Sequence, residues 1–178
     1  MCHGIDLDPP VHACPQQVRS AELFSLSTVQ SVRWKHMISE AITIAHILLV
    51  DDEDDCNFVT KLVLKKAGFV GRLTCHTSAE EALDFMRTTD DMPDLMFVDI
   101  NMPRVNGFEF LHICEREELL PNGTTSVIMF SSSNRPADLE QALAIRSVSG
   151  YVEKALTVDS FEQVLRDRMA SNINPRTT

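Results

Sequence analysis

The chain has 178 residues, room for one domain with some to spare, and its 44% apolar content can furnish a sizeable core. A formal net charge of −10 argues against general affinity for nucleic acid, which rests on Lys and Arg neutralising phosphates, and equally against docking to anionic lipid. Most of that acidity reads as ordinary solubility.

Residues 1–44 carry no sustained hydrophobic period, and Asp8-Pro9-Pro10 with scattered Ser, His and Gln reads as a poorly ordered N-terminal extension. Val29 to Ile44 can hold a short helix. Met37 stands shortly before the first regular strand, so residues 1–36 are open to being an over-long reading of the start. From His46 the pattern becomes regular. Ile47-Leu48-Leu49-Val50 reads as a short buried strand that ends in Asp51-Asp52-Glu53-Asp54-Asp55. A helix follows, with Phe58, Val59, Leu62 and Val63 on one face and Gly68 as its C-terminal cap. Arg72 to His76 is a weaker strand. Ser78 and Glu81 form a capping box for a helix lined by Ala79, Ala82, Leu83 and Met86.

Leu95-Met96-Phe97-Val98 is a run of four apolar residues, expected to be a strand buried on both faces; it ends on Asp99, and the chain turns at Pro103. Asn106-Gly107 opens a helix with Phe108, Leu111 and Glu115 at helical spacing and Glu109 as the N3 partner. A loop at Pro121-Asn122-Gly123 leads to the strand Val127-Ile128-Met129-Phe130, which ends in Ser131-Ser132-Ser133. Pro136 suits the first turn of a helix running to about Arg146. Gly150-Tyr151-Val152-Glu153-Lys154 is a short fifth strand ending on a cation. The last helix starts near Thr157 with Phe161, Val164, Leu165 and Met169 inward, and residues 172–178 read as a frayed tail. Strict strand–helix alternation means a parallel sheet with helices on both faces, because parallel strands need right-handed crossovers. The expected fold is an α/β, five-stranded, doubly wound domain over residues 45–171.

In a parallel sheet all the strand C-termini lie at one edge, where ligands bind in open α/β folds. That edge would collect Asp51, Asp52, Asp99, Ser131 and Lys154. Asp54 and Asp55 read instead as a solvated helix start favoured by the dipole. Three carboxylates in close quarters repel: at an effective dielectric of ~20 each pair costs about 4 kcal/mol at ~4 Å. Such a cluster needs raised pKa values or a bound cation, and oxygen-only ligands select a hard ion such as Mg²⁺. Lys154 and the Ser131 hydroxyl complete a cradle for a phosphoryl oxygen. Asp99 can then act as a nucleophile and become an aspartyl phosphate, its charge offset by Mg²⁺ and Lys154.

The motifs Leu49-Val50-Asp51-Asp52-Glu53, Val98-Asp99-Ile100-Asn101-Met102-Pro103 with Asn106-Gly107, Met129-Phe130-Ser131-Ser132, and Gly150-Tyr151-Val152-Glu153-Lys154 occur in order at the right strand ends. In this the chain from His46 to about Ala170 resembles the receiver domain of bacterial response regulators, in particular the stand-alone, chemotaxis-type ones. The resemblance implies a flavodoxin-like (βα)5 fold with strand order 2-1-3-4-5. It implies Asp99 as phosphoacceptor and Asp52 as a direct Mg²⁺ ligand, with Asp51 holding a metal-bound water and Asn101 supplying its backbone carbonyl. It further implies Ser131 as switch hydroxyl, Lys154 as phosphate-contacting lysine, Tyr151 as the aromatic that swings inward, and a signalling surface on the fourth and fifth helices and fifth strand. The family usually has a cis-linked proline after the lysine, where this chain has Ala155. A cis bond before another residue costs roughly 2.5–4 kcal/mol, so both isomers stay open.

The implied function is a phosphorylation switch: a histidine kinase or phosphotransfer protein donates to Asp99, and output is expected to pass through contact with an unknown downstream protein, with no output domain expected after Thr178. It is a signalling domain rather than an enzyme. Two other readings are carried beside it. One is a receiver-like adaptor that works without phosphate. The other is a Mg²⁺-dependent phosphatase with an aspartyl nucleophile, disfavoured because Asn101 stands where such enzymes place a second Asp. Tyr151 is equally readable as ordinary packing, the six histidines as structural or exposed, and Met92, Met96, Met102 and Met129 as core or loop filler. The five cysteines (2, 14, 56, 75 and 114) are odd in number and form no Cys-x-x-Cys pair, which fits a reducing compartment. There is no signal-peptide pattern and no apolar run long enough to span a bilayer, so the expectation is a soluble, cytoplasmic protein.

Overall fold

The five short apolar runs become five parallel strands of one sheet in the computed structural model, which describes residues 44–120, 124–132 and 135–173. In chain order the elements are β1 (His46–Val50), α1 (Asp54–Lys66), β2 (Arg72–His76), α2 (Ala79–Thr88), β3 (Leu95–Asp99), α3 (Gly107–Arg116), β4 (Ser126–Ser131), α4 (Pro136–Ala144), β5 (Val148–Glu153) and α5 (Val158–Ile173). The strand order is β2-β1-β3-β4-β5, every neighbouring pair parallel, as the resemblance implied.

β1 and β3 are buried along their whole length, because each has a strand on both sides and helices above and below. Successive residues of a strand point to opposite faces, so the same runs supply two cores. Leu48, Val50, Met96, Val98, Val127 and Met129 pack with α2, α3 and α4 on one face. Ile47, Leu49, Leu95, Phe97, Ile128 and Phe130 pack with α1 and α5 on the other. There Phe97 lies 5.9 Å from the Phe130 ring and 6.5 Å from that of Phe161. Ile44, expected to belong to the extension, is buried in this second core.

Several expectations need correction. The inward stripe of α1 is Asn57, Thr60 and Leu64, with Val63 half-buried at its margin; Phe58 and Leu62 are 62% and 52% exposed, and Val59 is exposed too. Asn57 goes inward because it has a partner there: its Nδ2 donates to the Asp51 carbonyl at 2.8 Å. Ser78 caps α2 by accepting from the Glu81 amide, but the Glu81 carboxylate lies 3.8 Å from His76 Nδ1 instead of closing a box. The full box is at α3, between Asn106 and Glu109. α4 stops at Ala144, β5 starts two residues before Gly150, and α5 continues through Asn172 and Ile173, which were expected to fray. The Lys154–Ala155 peptide bond is cis. The N-terminal extension and its short helix, the 121–123 loop, Ser133 and residues 174–178 lie outside the described residues.

Candidate functional site

Each strand of the β1-β3-β4-β5 group delivers its polar end to the same rim. Asp51 follows β1 directly and is fully buried, held at its amide, its carbonyl and its side chain. Its amide donates to the His76 carbonyl at 3.1 Å, its carbonyl accepts from Asn57, and its Oδ1 accepts from the Glu53 amide at 3.0 Å. Asp99 is the last residue of β3 and is buried as well. The chain behind it is held by a close approach: the Gly107 amide donates to the Ile100 carbonyl at 3.0 Å, and a Cβ on Gly107 would stand 2.1 Å from the Asp99 carbonyl oxygen. Only glycine fits there. The capping box of Asn106 and Glu109, at 2.9 and 3.0 Å, then starts α3 without drawing on Asp99.

Lys154 sits just past β5, placed by its own amide donating to the Ser131 carbonyl at 2.9 Å. Its side chain is 5% exposed, and the ammonium lies 2.8 Å from Asp51 Oδ2, 3.0 Å from Asp99 Oδ2 and 3.2 Å from Glu53 Oε2. The Phe130 ring lies below it, its centroid 5.7 Å away. Burial lowers the Lys154 pKa, but the hydrogen bonds to Asp51 and Asp99 and their charges outweigh it, so the group stays well above the usual lysine range. Burial pushes the Asp51 carboxyl up, against the pull of Lys154 and of the Glu53 amide. The Glu53 carboxyl is held below its ordinary value by the Cys56 thiol and by Lys154.

Asp51, Asp52 and Asp99 each offer an oxygen within 4.8 Å of the other two. Asp52 Oδ1 is buried and has no hydrogen-bond partner. An all-oxygen set with an orphaned buried carboxylate oxygen fits a hard divalent cation. Asn101 is exposed and lines, with Asp52, Asn106 and Asp138, an open cleft of about 570 Å³ that gives access to this rim. Ser131 is fully buried as the last residue of β4, one position beyond the Asp99–Phe130 register pair. Tyr151 is half-buried on β5 opposite Met129, packed against the α2-α3-α4 core. Two residues at the rim had no role assigned from the sequence. Asn57 carried no signal in the sequence, whose pattern favours Phe58, Val59 and Leu62 as the inward face; only the structure turns it toward the Asp51 carbonyl. Glu53 is one of five consecutive acids, and nothing in the run separates it from its neighbours.

The model of the response regulator receiver domain matches residues 47–166. The chain belongs to the response regulator receiver family. Receivers of this phosphoacceptor family interact with histidine kinases or phosphotransfer proteins. Among curated proteins the receiver is 26% identical over 125 residues to the probable methanogenesis regulatory protein FilR2 of Methanothrix harundinacea, covering 68% of this chain and 79% of that one. It is 27% identical over 129 residues to the nitrate/nitrite response regulator protein NarL of Escherichia coli, covering 72% of this chain and little more than half, 56%, of NarL. Among solved structures, a two-component response regulator from Cytophaga hutchinsonii superposes with a TM-score of 0.65 at 28% identity, over 73% of this chain and 99% of that one. The chemotaxis response regulator CheY4 of Vibrio cholerae shares the fold, with a TM-score of 0.59 at 22% identity over 71% and 99% of the two chains. Among the described residues no helix is long and apolar enough to cross a membrane.

Proposed function

We propose that this receiver is a phosphorylation-controlled switch whose phosphoacceptor is Asp99. The observation that carries the reading is the Lys154 ammonium 3.0 Å from Asp99 Oδ2 in a buried pocket that also holds Asp51 and Asp52. In the transfer, the P–N bond of a phosphohistidine on a kinase or phosphotransfer protein breaks, and a P–O bond to an Asp99 carboxylate oxygen forms. Asp52, Asp99 and the Asn101 backbone carbonyl would hold Mg²⁺, with Asp51 acting through a water. Bound there, Mg²⁺ would offset negative charge on the phosphoryl oxygens. Lys154 supplies a fixed cation at the same place without having to be desolvated during the reaction, since it is already buried.

Ser131 and Tyr151 are the proposed switch. Ser131 ends β4, the strand beside β3, one position beyond the residue paired with Asp99, and its hydroxyl is the group proposed to turn toward a new phosphoryl oxygen. Tyr151, on the neighbouring strand, packs against the core side that carries α4, so a change at Ser131 is passed to the α4-β5-α5 face. A shift from 1:99 to 99:1 requires ~5.5 kcal/mol of differential interaction, within reach of several charge-assisted hydrogen bonds. Output is then a protein contact by residues 45–171. The test is acetyl phosphate with Mg²⁺ followed by intact mass. The expected result is a gain of one phosphoryl group that disappears in Asp99→Asn and in EDTA. Absence of any gain in the wild type would leave the phosphate-independent adaptor as the better account.

A further inference from the structure

An ammonium group has three N–H donors and no more. Lys154 meets three carboxylates, those of Asp51, Asp99 and Glu53, at 2.8, 3.0 and 3.2 Å. A phosphoryl oxygen arriving at Lys154 therefore has to take the place of one of them. Asp51 is fully buried and tied at its amide, its carbonyl and Oδ1, so it is not free to leave. Asp99 carries the incoming group. Glu53 makes the longest of the three contacts and its side chain is 61% exposed, so it can swing into water at little cost. Its Oε2 also accepts from the Cys56 thiol at 3.0 Å, which parks the carboxylate over the site. The side chain does not cap the helix that follows: Glu53 is the N-cap of α1, yet it accepts none of the first amides of that helix.

We propose that Glu53 is a positioning residue that occupies the phosphoryl group's place on Lys154 in the resting receiver and is displaced when Asp99 is modified. This rests on Asp99 being the phosphoacceptor. Glu53 and the phosphoryl group are both anions competing for one cation, so the resting receiver takes up phosphate more slowly and holds it less tightly than its other residues would allow. The charge of Glu53 carries the effect, and its shape does not.

The experiment titrates the full chain with beryllofluoride in the presence of Mg²⁺ and, separately, times phosphoryl gain from acetyl phosphate by intact mass, in the wild type, Glu53→Gln and Glu53→Asp. Glu53→Gln should bind beryllofluoride about two- to fivefold tighter, the range expected for loss of one half-exposed ion pair. Its phosphorylation rate should rise by a similar factor, the gap should narrow as salt is raised, and its thermal midpoint should stay at the wild-type value. Glu53→Asp, which keeps the charge, should remain near wild type. A Glu53→Gln protein that binds beryllofluoride no better than wild type, or a Gln and an Asp variant that change alike, overturns the proposal while leaving Asp99 as acceptor intact. A wild type that neither binds beryllofluoride nor gains a phosphoryl group removes both readings together.

Discussion

Replacing Lys154 with methionine keeps an unbranched apolar stem one atom shorter than the lysine and removes the only cation bonded to Asp51 and Asp99 among the described residues. Two magnitudes compete for the expected cost. Exposed ion pairs contribute about 0–1 kcal/mol, whereas removing one partner of a buried pair costs roughly 3–5 kcal/mol, because the charge left behind stays desolvated. Lys154 is 5% exposed, Asp51 0% and Asp99 4%, so the second figure applies to two of its three contacts; the exposed Glu53 adds little. Loss of the lysine's own burial cost works the other way, which places the expected loss near 3 kcal/mol, at the low end of that range. For a domain of this size that corresponds to a fall in Tm on the order of 10 °C. Urea unfolding followed by far-UV circular dichroism in EDTA would measure it. Adding Mg²⁺ should recover more stability in Lys154→Met than in the wild type, because a divalent cation among Asp51, Asp52 and Asp99 relieves the repulsion that the lysine no longer offsets. A loss under about 1 kcal/mol in EDTA, with no extra response to Mg²⁺, would refute the buried three-carboxylate cradle.

Gly107→Ala would bring a Cβ to 2.1 Å from the Asp99 carbonyl oxygen and 3.0 Å from its carbonyl carbon, both backbone atoms, so the end of β3 must move. The expected result is an overpacking loss of about 1–3 kcal/mol in urea unfolding, together with slower phosphoryl gain at Asp99 by mass. Leu64→Ala should cost roughly 2–5 kcal/mol, and Phe58→Ala, on the exposed face of α1, less than about 0.5 kcal/mol; a reversal of that order would restore the face expected from the sequence. Burial, with Arg72 beside it, holds the His46 imidazole below its ordinary value of 6.5, against the opposing pull of the Asp91 carbonyl and of the Asp91 and Asp94 carboxylates. The unfolded chain then binds a proton more readily than the folded one, so stability is fully present above about pH 6.5 and is lost as pH falls through the folded value. His46→Gln, which can still reach Thr74, should flatten that part of the stability–pH curve; an unchanged slope would assign it to other groups.

The strand runs and the acids, alcohol and lysine at their ends were legible because a parallel sheet puts all its C-terminal ends at one rim. Any reader who recognises five strand–helix units in strict alternation can list Asp51, Asp52, Asp99, Ser131 and Lys154 without coordinates. The α1 face was misread for an equally physical reason. Phe58, Val59 and Leu62 make a plausible apolar stripe, and periodicity alone does not say which stripe faces the sheet. Asn57 decides it by reaching the Asp51 carbonyl.

Composition and local pattern thus specify the element order, the alternation that forces a parallel sheet, and the identity of the groups that meet at its rim. Distances are another matter. That Lys154 meets three carboxylates at once, that Asp52 keeps a buried oxygen without a partner, and that Gly107 leaves room for the Asp99 carbonyl follow from strands and loops far apart in the chain closing on one another. Such contacts depend on side-chain reach and burial across 103 positions, from Asp51 to Lys154, and no local window of residues contains that information.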